Sequence, residues 1–300
     1  MMRIWKASLA GSCLIWCPVA AAQAYPTKTI LIISPVGAGS AGDVMIRVVA
    51  QKMSDSLGQQ IIIESQPGAG GLIGTERVAR APADGYTLGG LTDSVLTSVP
   101  ILYKNVGYDP IKSFAPISMV AAITWVLIAH PSLPVRNVAE LVNLAKARPG
   151  QVDYGSGGNG SPQHIAMELF KSATRTQLNH IPYKGSTQAA LDVLAGHVPV
   201  MFTALSTVLS SIKDRKVTGL GVVSAQRSPI LPELPTLSES GLPGFVFTTW
   251  AALFAPQSTP APIVSRLNAA AIAALKDAAV RERLLGLGLE PNGSTPDELA

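Results

Sequence analysis

Apolar runs and helical stripes alternate along the first third of the chain. Ile30, Leu31, Ile32 and Ile33 form an unbroken run before Pro35, which predicts a strand over 29–35 buried on both faces. From Val44 the spacing changes. Val49, Met53 and Leu57 lie four apart, predicting a helix over 43–57 that Gly58 stops. Strands over 60–64 and 86–91 with a helix over 72–80 continue the alternation, which implies a parallel sheet covered by helices. A long apolar segment, 115–129, reads as a strand crossing into a second domain. Helices over 137–147, 165–173 and 187–195 then alternate with strands over 152–155, 178–181 and 198–203. Residues 217–224 read as a second crossing strand, with 227–235 returning to the first domain. A strand over 247–254 and helices over 262–275 and 277–285 complete the pattern. The division expected is domain 1 over 25–118 and 225–300, and domain 2 over 119–224.

Three glycine-rich turns interrupt this pattern, each opening a helix: 37–42, 66–71 and 156–164. A strand, a glycine turn and a helix start leave backbone N–H groups aimed at open space, with the positive end of the helix dipole behind them. Such a place attracts a small anion. The candidates in the first turn are Val36, Gly39, Ser40, Gly42 and Asp43, and in the second Gly70 and Gly71. Asp43 sits where an N-cap belongs and is assigned a positioning role, because a carboxylate repels an anionic ligand. Thr92 follows the carboxyl end of a strand, the usual ligand side of an open sheet. In the third turn Ser156, Gly157, Asn159, Gly160, Ser161 and His164 are candidates, with local turn bonding as the alternative for the hydroxyl and amide side chains. Lys184 offers a cation beside Gly185, and Thr203 and Trp250 are candidate walls.

Gly37-Ala38-Gly39-Ser40-Ala41-Gly42 also satisfies G-x-G-x-x-G, with Glu64 where a ribose-binding acid would stand. Pro35-Val36 opposes a dinucleotide reading by interrupting the approach to the first glycine. The amino terminus opposes it more strongly. Arg3 and Lys6 precede an apolar stretch, and Ala22-Gln23-Ala24 offers a small-x-small cleavage site, so residues 1–24 read as a secretory signal cut after Ala24. Nicotinamide dinucleotides are not expected outside the cytoplasm. An exported hydrolase is the other enzyme alternative, but Ala38 stands where a G-x-S-x-G elbow around Ser40 needs glycine. His130, His164, His180 and His197 show no metal-binding spacing.

Composition narrows the picture further. Both cysteines, Cys13 and Cys17, fall in the signal, so no disulfide, thiol nucleophile or cysteine metal site is expected in the exported chain. The formal net charge is +4, with 23 basic residues dispersed among 19 acidic ones and few aromatics, which argues against a nucleic-acid surface. No cofactor and no metal are expected.

Tyr25-Pro26, the Pro35–Asp43 turn, Gln66 to Gly71, Asp84 to Leu88 and Phe114 to Ile117 follow one another in order, and Tyr154–His164, Ile181 to Gly185, Leu234 to Thr236 and Gly241 to Pro243 continue the series. In these motifs the chain resembles the Bug-type extracytoplasmic solute-binding proteins, receptors of tripartite tricarboxylate transporters. The resemblance implies a type II periplasmic-binding-protein fold, two α/β domains joined by two crossing strands. It also implies a small carboxylate ligand held largely by backbone amides and waters, membrane permease subunits as partners, a monomeric receptor and a periplasmic location. Two positions depart from the family's first loop. Val36 replaces a phenylalanine, which reshapes the pocket, and Ser40 replaces the second glycine, which adds a hydroxyl donor. A carboxylate sensor without a transporter would share the same pocket, and the sequence does not separate the two.

Overall fold

A computed structural model describes residues 25–300, so the signal segment and cleavage point expected over 1–24 lie outside the described residues. The chain first builds β1 (Ile30–Ser34), α1 (Ala41–Leu57), β2 (Ile61–Ser65), α2 (Leu72–Ala79), β3 (Thr87–Thr92), α3 (Asp93–Thr97), α4 (Val99–Leu102) and β4 (Phe114–Ile123). β1 pairs in parallel with β2 and β3, and its isoleucines 30, 32 and 33 are fully buried, as an apolar run covered by helices requires. α1 turns Met45, Ile46, Val49 and Met53 into the core and ends at Gly58 in the left-handed region, whose N–H donates to the Ser54 carbonyl.

The second lobe follows: β5 (Trp125–Ala129), α5 (Val138–Ala147), β6 (Asp153–Ser156), α6 (Pro162–Thr174), β7 (Asn179–Pro182), α7 (Ser186–Leu194), β8 (Val200–Ala204), α8 (Leu205–Lys213) and β9 (Thr218–Val222). Its five-stranded sheet runs β7-β6-β8-β5-β9, with β6 parallel to its neighbours and β5 antiparallel to both β8 and β9. The chain then returns as β10 (Thr249–Pro256), α9 (Ala261–Lys276), α10 (Ala278–Gly286), β11 (Leu289–Pro291) and α11 (Pro296–Leu299). β10 enters the first sheet antiparallel between β3 and β4, giving the order β11-β4-β10-β3-β1-β2. The alanine-rich face of α9 packs on α1 and β4 through Leu267, Ala270, Ala271 and Ala274.

Two expectations need correction. The apolar segment 115–129 is not one strand. β4 stays in the first sheet through Ile123, and the crossing is at Thr124, whose carbonyl accepts from the Leu205 N–H at 2.9 Å. The boundary therefore lies five residues beyond 118. The return also comes later than 225. Residues 228–237 cover the second sheet: Leu231 and Leu234 join its core, and Thr236 bridges to Val222. The Leu237 N–H donates to the Val222 carbonyl at 2.9 Å, and the side chain closes on Gly221, where an added Cβ would lie 2.7 Å from Leu237 Cδ1. The segment lacks a period of 2 or 3.6, so its apolar residues carried no sign of which sheet they cover.

Because Leu237 is fully buried, Leu237→Ala should cost ~2–5 kcal/mol in urea unfolding. A loss below ~1 kcal/mol would place this segment outside the core.

Candidate functional site

Six strand-to-helix junctions face one another across the cleft between the lobes. In the first lobe they are β1 to α1, β2 to α2 and β3 to α3, and in the second β6 to α6, β7 to α7 and β8 to α8. A cavity lies among them, with about 50 Å³ open to the centre of a water-sized sphere. Since one water needs at least roughly 10–15 Å³ by that measure, there is room for a few waters or one small organic acid. Each junction lends its first helical turn or the residues just before it to the wall, so the positive ends of the helix dipoles converge there.

Ten of the expected residues lie on this wall. Val36, Ser40 and Gly42 come from the first junction, Gly70 and Gly71 from the second, and Thr92 from the third. Gly157 and Ser161 precede α6, and Lys184 and Gly185 precede α7. Ser40 and Ser161 both cap their helices, accepting from the N–H groups of Asp43 at 3.4 Å and His164 at 3.5 Å. Lys184 is exposed at the mouth and is the one ionisable side chain of the lining among the described residues.

Seven of the expected residues are turned elsewhere. Ser40, not Asp43, is the N-cap of α1. Asp43 is buried behind the wall, where its carboxylate accepts from the Gly39 N–H at 2.8 Å, Arg47 Nε at 2.8 Å and Ser65 Oγ at 3.0 Å. The Gly39 amide is therefore spent on Asp43 and does not face the cavity. Ser156 is wholly buried, and its Oγ lies 2.6 Å from His180 Nε2 and accepts from the Gly158 N–H at 3.1 Å. The Gly160 N–H donates to His164 Nδ1 at 3.2 Å, so that amide too is taken. Asn159 turns its carbonyl to the opposite lobe, where the Tyr103 hydroxyl donates to it at 3.4 Å. Thr203 is buried in β8 opposite Val126, its hydroxyl without a partner. Trp250, considered as a wall, pairs with Ala122 in the first sheet, and Trp125 lines the cavity instead.

The sequence reading also passed over Ser94, Gln163, Ser186, Thr207, Ile123 and Trp125, all on the wall. Glycine content was the signal followed, and the Ala204–Leu205 junction has none. The carboxyl ends of the strands would have been the better guide, and the helices that follow two of them, α3 and α8, were not expected from the sequence.

Behind the second-lobe loop stands a stack of three rings. The Tyr154 and His180 centroids are 4.8 Å apart, and those of His180 and His164 4.3 Å. Glu168 Oε1 accepts from the Tyr154 hydroxyl and from Lys171 Nζ, each at 2.7 Å, and lies 4.0 Å from His164 Nε2. Burial, followed by the neighbouring His164, pulls the His180 pKa down to about 4, and burial also lowers that of His164. The Ser156–His180 contact lies off the cavity wall, with the hydroxyl fully buried. Among the described residues, no three His, Cys, Asp or Glu side chains group to hold a metal, and no helix is long and apolar enough to cross a membrane. Asp93, at the start of α3, has one carboxyl oxygen buried without a partner, and burial raises its pKa to about 7.

The lobes meet at the mouth of the cleft. Thr187 Oγ1 donates to the Ala38 carbonyl at 2.9 Å, and a Cβ on Gly185 would lie 3.6 Å from Gly37 Cα. Gly70 has φ 69°, and an added Cβ would sit 2.5 Å from the Asn159 carbonyl oxygen of the other lobe. Two α/β lobes on two crossing segments, closed over a cavity ringed by helix starts, define a cleft-binding solute receptor with the type II periplasmic-binding-protein fold. Residues 45–299 match the family described as Tripartite tricarboxylate transporter family receptor, and the chain belongs to that family. It is 37% identical to the protein BugT of Bordetella pertussis (strain Tohama I) over 278 residues, 92% of this chain and 85% of that one. The solved structure of the periplasmic binding protein BugD is similar at TM-score 0.88 and 35% identity, covering 92% of both chains. That of R. palustris Rpa4515 with adipate is similar at TM-score 0.89 and 33% identity, also over 92% of both.

The ring stack predicts a pH effect. His180 is held below its ordinary pKa of 6.5, so its stabilising contribution is complete above about 6.5 and lost as pH falls to about 4. Asp93, raised from 3.8 to about 7, acts oppositely, its contribution fading as pH rises through that range. The informative quantity is therefore the difference between variants. The melting temperature of His180→Gln should fall less than that of the wild type between pH 7 and pH 4, and parallel curves would refute the assignment.

Proposed function

We propose that this protein is an extracytoplasmic receptor, exported by its signal segment with cleavage after Ala24. It captures a small organic carboxylate in the cleft and presents the closed form to membrane permease subunits of a tripartite transporter. One observation carries the reading: six helix starts, three per lobe, surround a cavity whose wall holds one lysine and no acidic side chain. Backbone N–H groups bonded to a carboxylate contribute roughly 1.5–3 kcal/mol each. Three or four such bonds give about 5–12 kcal/mol before the costs of binding, so micromolar affinity, about −8 kcal/mol net, also draws on the hydroxyls, the lysine and the apolar part of the wall. A wall without a carboxylate gives an ammonium group no acceptor of opposite charge, which favours an acid that carries none. The adipate held by Rpa4515 is of this kind. Closure follows because both lobes contact the ligand only when shut, so binding draws the population to the closed form.

A thermal-shift series with adipate, malate, citrate, nicotinate and glutamate tests this. At about a hundred times the dissociation constant, mass action adds ~2.7 kcal/mol, a rise of several degrees. At least one non-amino acid should produce it, and Lys184→Gln should reduce it. A protein stabilised by neutral sugars or by none of the acids would sink the proposal.

Gly70→Ala tests closure separately. Its left-handed backbone costs ~1–2 kcal/mol for any other residue, open or closed. The clash with Asn159 arises only when the lobes meet. Affinity for the acid identified should fall at least ~10-fold while the ligand-free melting temperature drops by only a few degrees. Unchanged affinity would show that these loops do not meet in the bound state.

A further inference from the structure

We propose that Trp125 is the specificity-determining residue that sets the depth of the cavity and so the chain length of the acid it accepts, an inference that rests on the carboxylate reading above. The side walls of the cavity are helix starts, rich in N–H and hydroxyl groups, and the mouth is closed by the Thr187–Ala38 and Gly70–Asn159 contacts. The back is different. There the chain crosses between lobes at Thr124, and the two residues flanking the crossing, Ile123 and Trp125, bring the largest apolar side chains of the lining. A carboxylate is held by the amides, and the methylene stem extends until it meets the indole.

The indole cannot move aside easily. Its Nε1–H donates to Thr249 Oγ1 at 2.8 Å, a buried bond from the first residue of the second sheet to the first residue of the strand that returns to the first sheet. Phe247 packs edge-on at 5.9 Å, and the Trp125 carbonyl accepts from the Val223 N–H at 2.8 Å. The residue is 2% exposed and faces Ala204, itself on the cavity wall. A ring held by one hydrogen bond and one aromatic edge is a fixed stop. The space in front of it is small, about 50 Å³. Nothing in the first-loop turn compensates, since Val36 offers only a short side chain opposite Gly42.

The test is calorimetric titration of the wild type, Trp125→Phe, Trp125→Leu and Thr249→Val with the unbranched dicarboxylates from succinate to suberate. The wild type should show a length limit, with affinity falling at least tenfold for the first acid beyond it. In Trp125→Phe and Trp125→Leu the limit should move to longer acids, changing the rank order and not merely weakening all members. Thr249→Val keeps the ring but frees it, and should shrink the tenfold step to two- or threefold. If Trp125→Leu fails to fold by circular dichroism, Trp125→Phe and Thr249→Val decide. An unchanged rank order in the folded variants, with uniform weakening, would overturn the proposal and leave Trp125 a hinge brace. A wild type without a length limit would overturn it too. A wild type that binds none of these dicarboxylates but is stabilised by nicotinate or citrate overturns this proposal alone, as does binding with unaltered order, whereas a wild type that binds no acid at all overturns the carboxylate reading with it.

Discussion

An organic anion taken out of water must find donors for its oxygens, and a closed cleft with one lysine at its lip must supply them from the backbone. That requirement shapes both lobes. A parallel strand followed at once by a helix delivers N–H groups and a dipole end at the strand's carboxyl edge, and each lobe repeats the unit three times. β10 in one sheet and β5 in the other run antiparallel to the strands bearing these junctions, which lets the chain pass between lobes without covering the edges where the ligand sits. The small residues at the junctions follow from the same need. Gly37, Gly70 and Gly185 lie where backbone meets backbone across the cleft, and at Gly70 an added Cβ would press into the Asn159 carbonyl of the other lobe.

Apart from Lys184, the ionisable groups around the cavity bond to the loops. Asp43 would repel an acid if it faced inward. Turned back, it gathers the Gly39 amide, Arg47 and Ser65, and so fixes the turn that aims the α1 start. His164 plays the matching part in the second lobe, accepting from the Gly160 N–H and stacking on His180, which in turn holds Ser156 and through it Gly158. One lobe ties its loop with a carboxylate, the other with a neutral histidine pair. Neither puts a charged group on the wall.

Much of this architecture was legible in the sequence because it is written in period. The runs at 30–33 and 61–63, the four-residue spacing in α1 and the glycine stops locate strands and helices without reference to the whole. What was not legible is direction. Asp43 and Ser40 both suit an N-cap, and only the fold shows that the Ser40 hydroxyl takes the cap while Asp43 reaches back to Gly39. Ser156, Gly160 and His164 have the right chemistry for a ligand, yet satisfy one another, since a hydroxyl or ring bonds to whatever lies nearest. Residues 228–237 carry apolar side chains without a period, so their lobe could not be read from spacing. Trp125 escaped notice for a related reason: inside a long apolar run, nothing marks the one side chain that faces a cavity.

Trp125 also shows why a hinge can take part in recognition. The crossing segments must bend when the lobes part, and the bonds that span them are made with the lobes in the closed relation seen here. The indole bond to Thr249 joins the two crossings, and the same ring forms the back of the cavity. A ligand that presses on the ring therefore acts on the bond that braces the hinge. An acid short enough to leave the ring in place keeps that brace intact. One that displaces it must break a buried hydrogen bond, leaving a desolvated N–H and hydroxyl unsatisfied at a cost of ~1–3 kcal/mol each. Selection by length and stability of the closed form are then two consequences of one contact, and a pocket that excludes a long acid does so in part by declining to close on it.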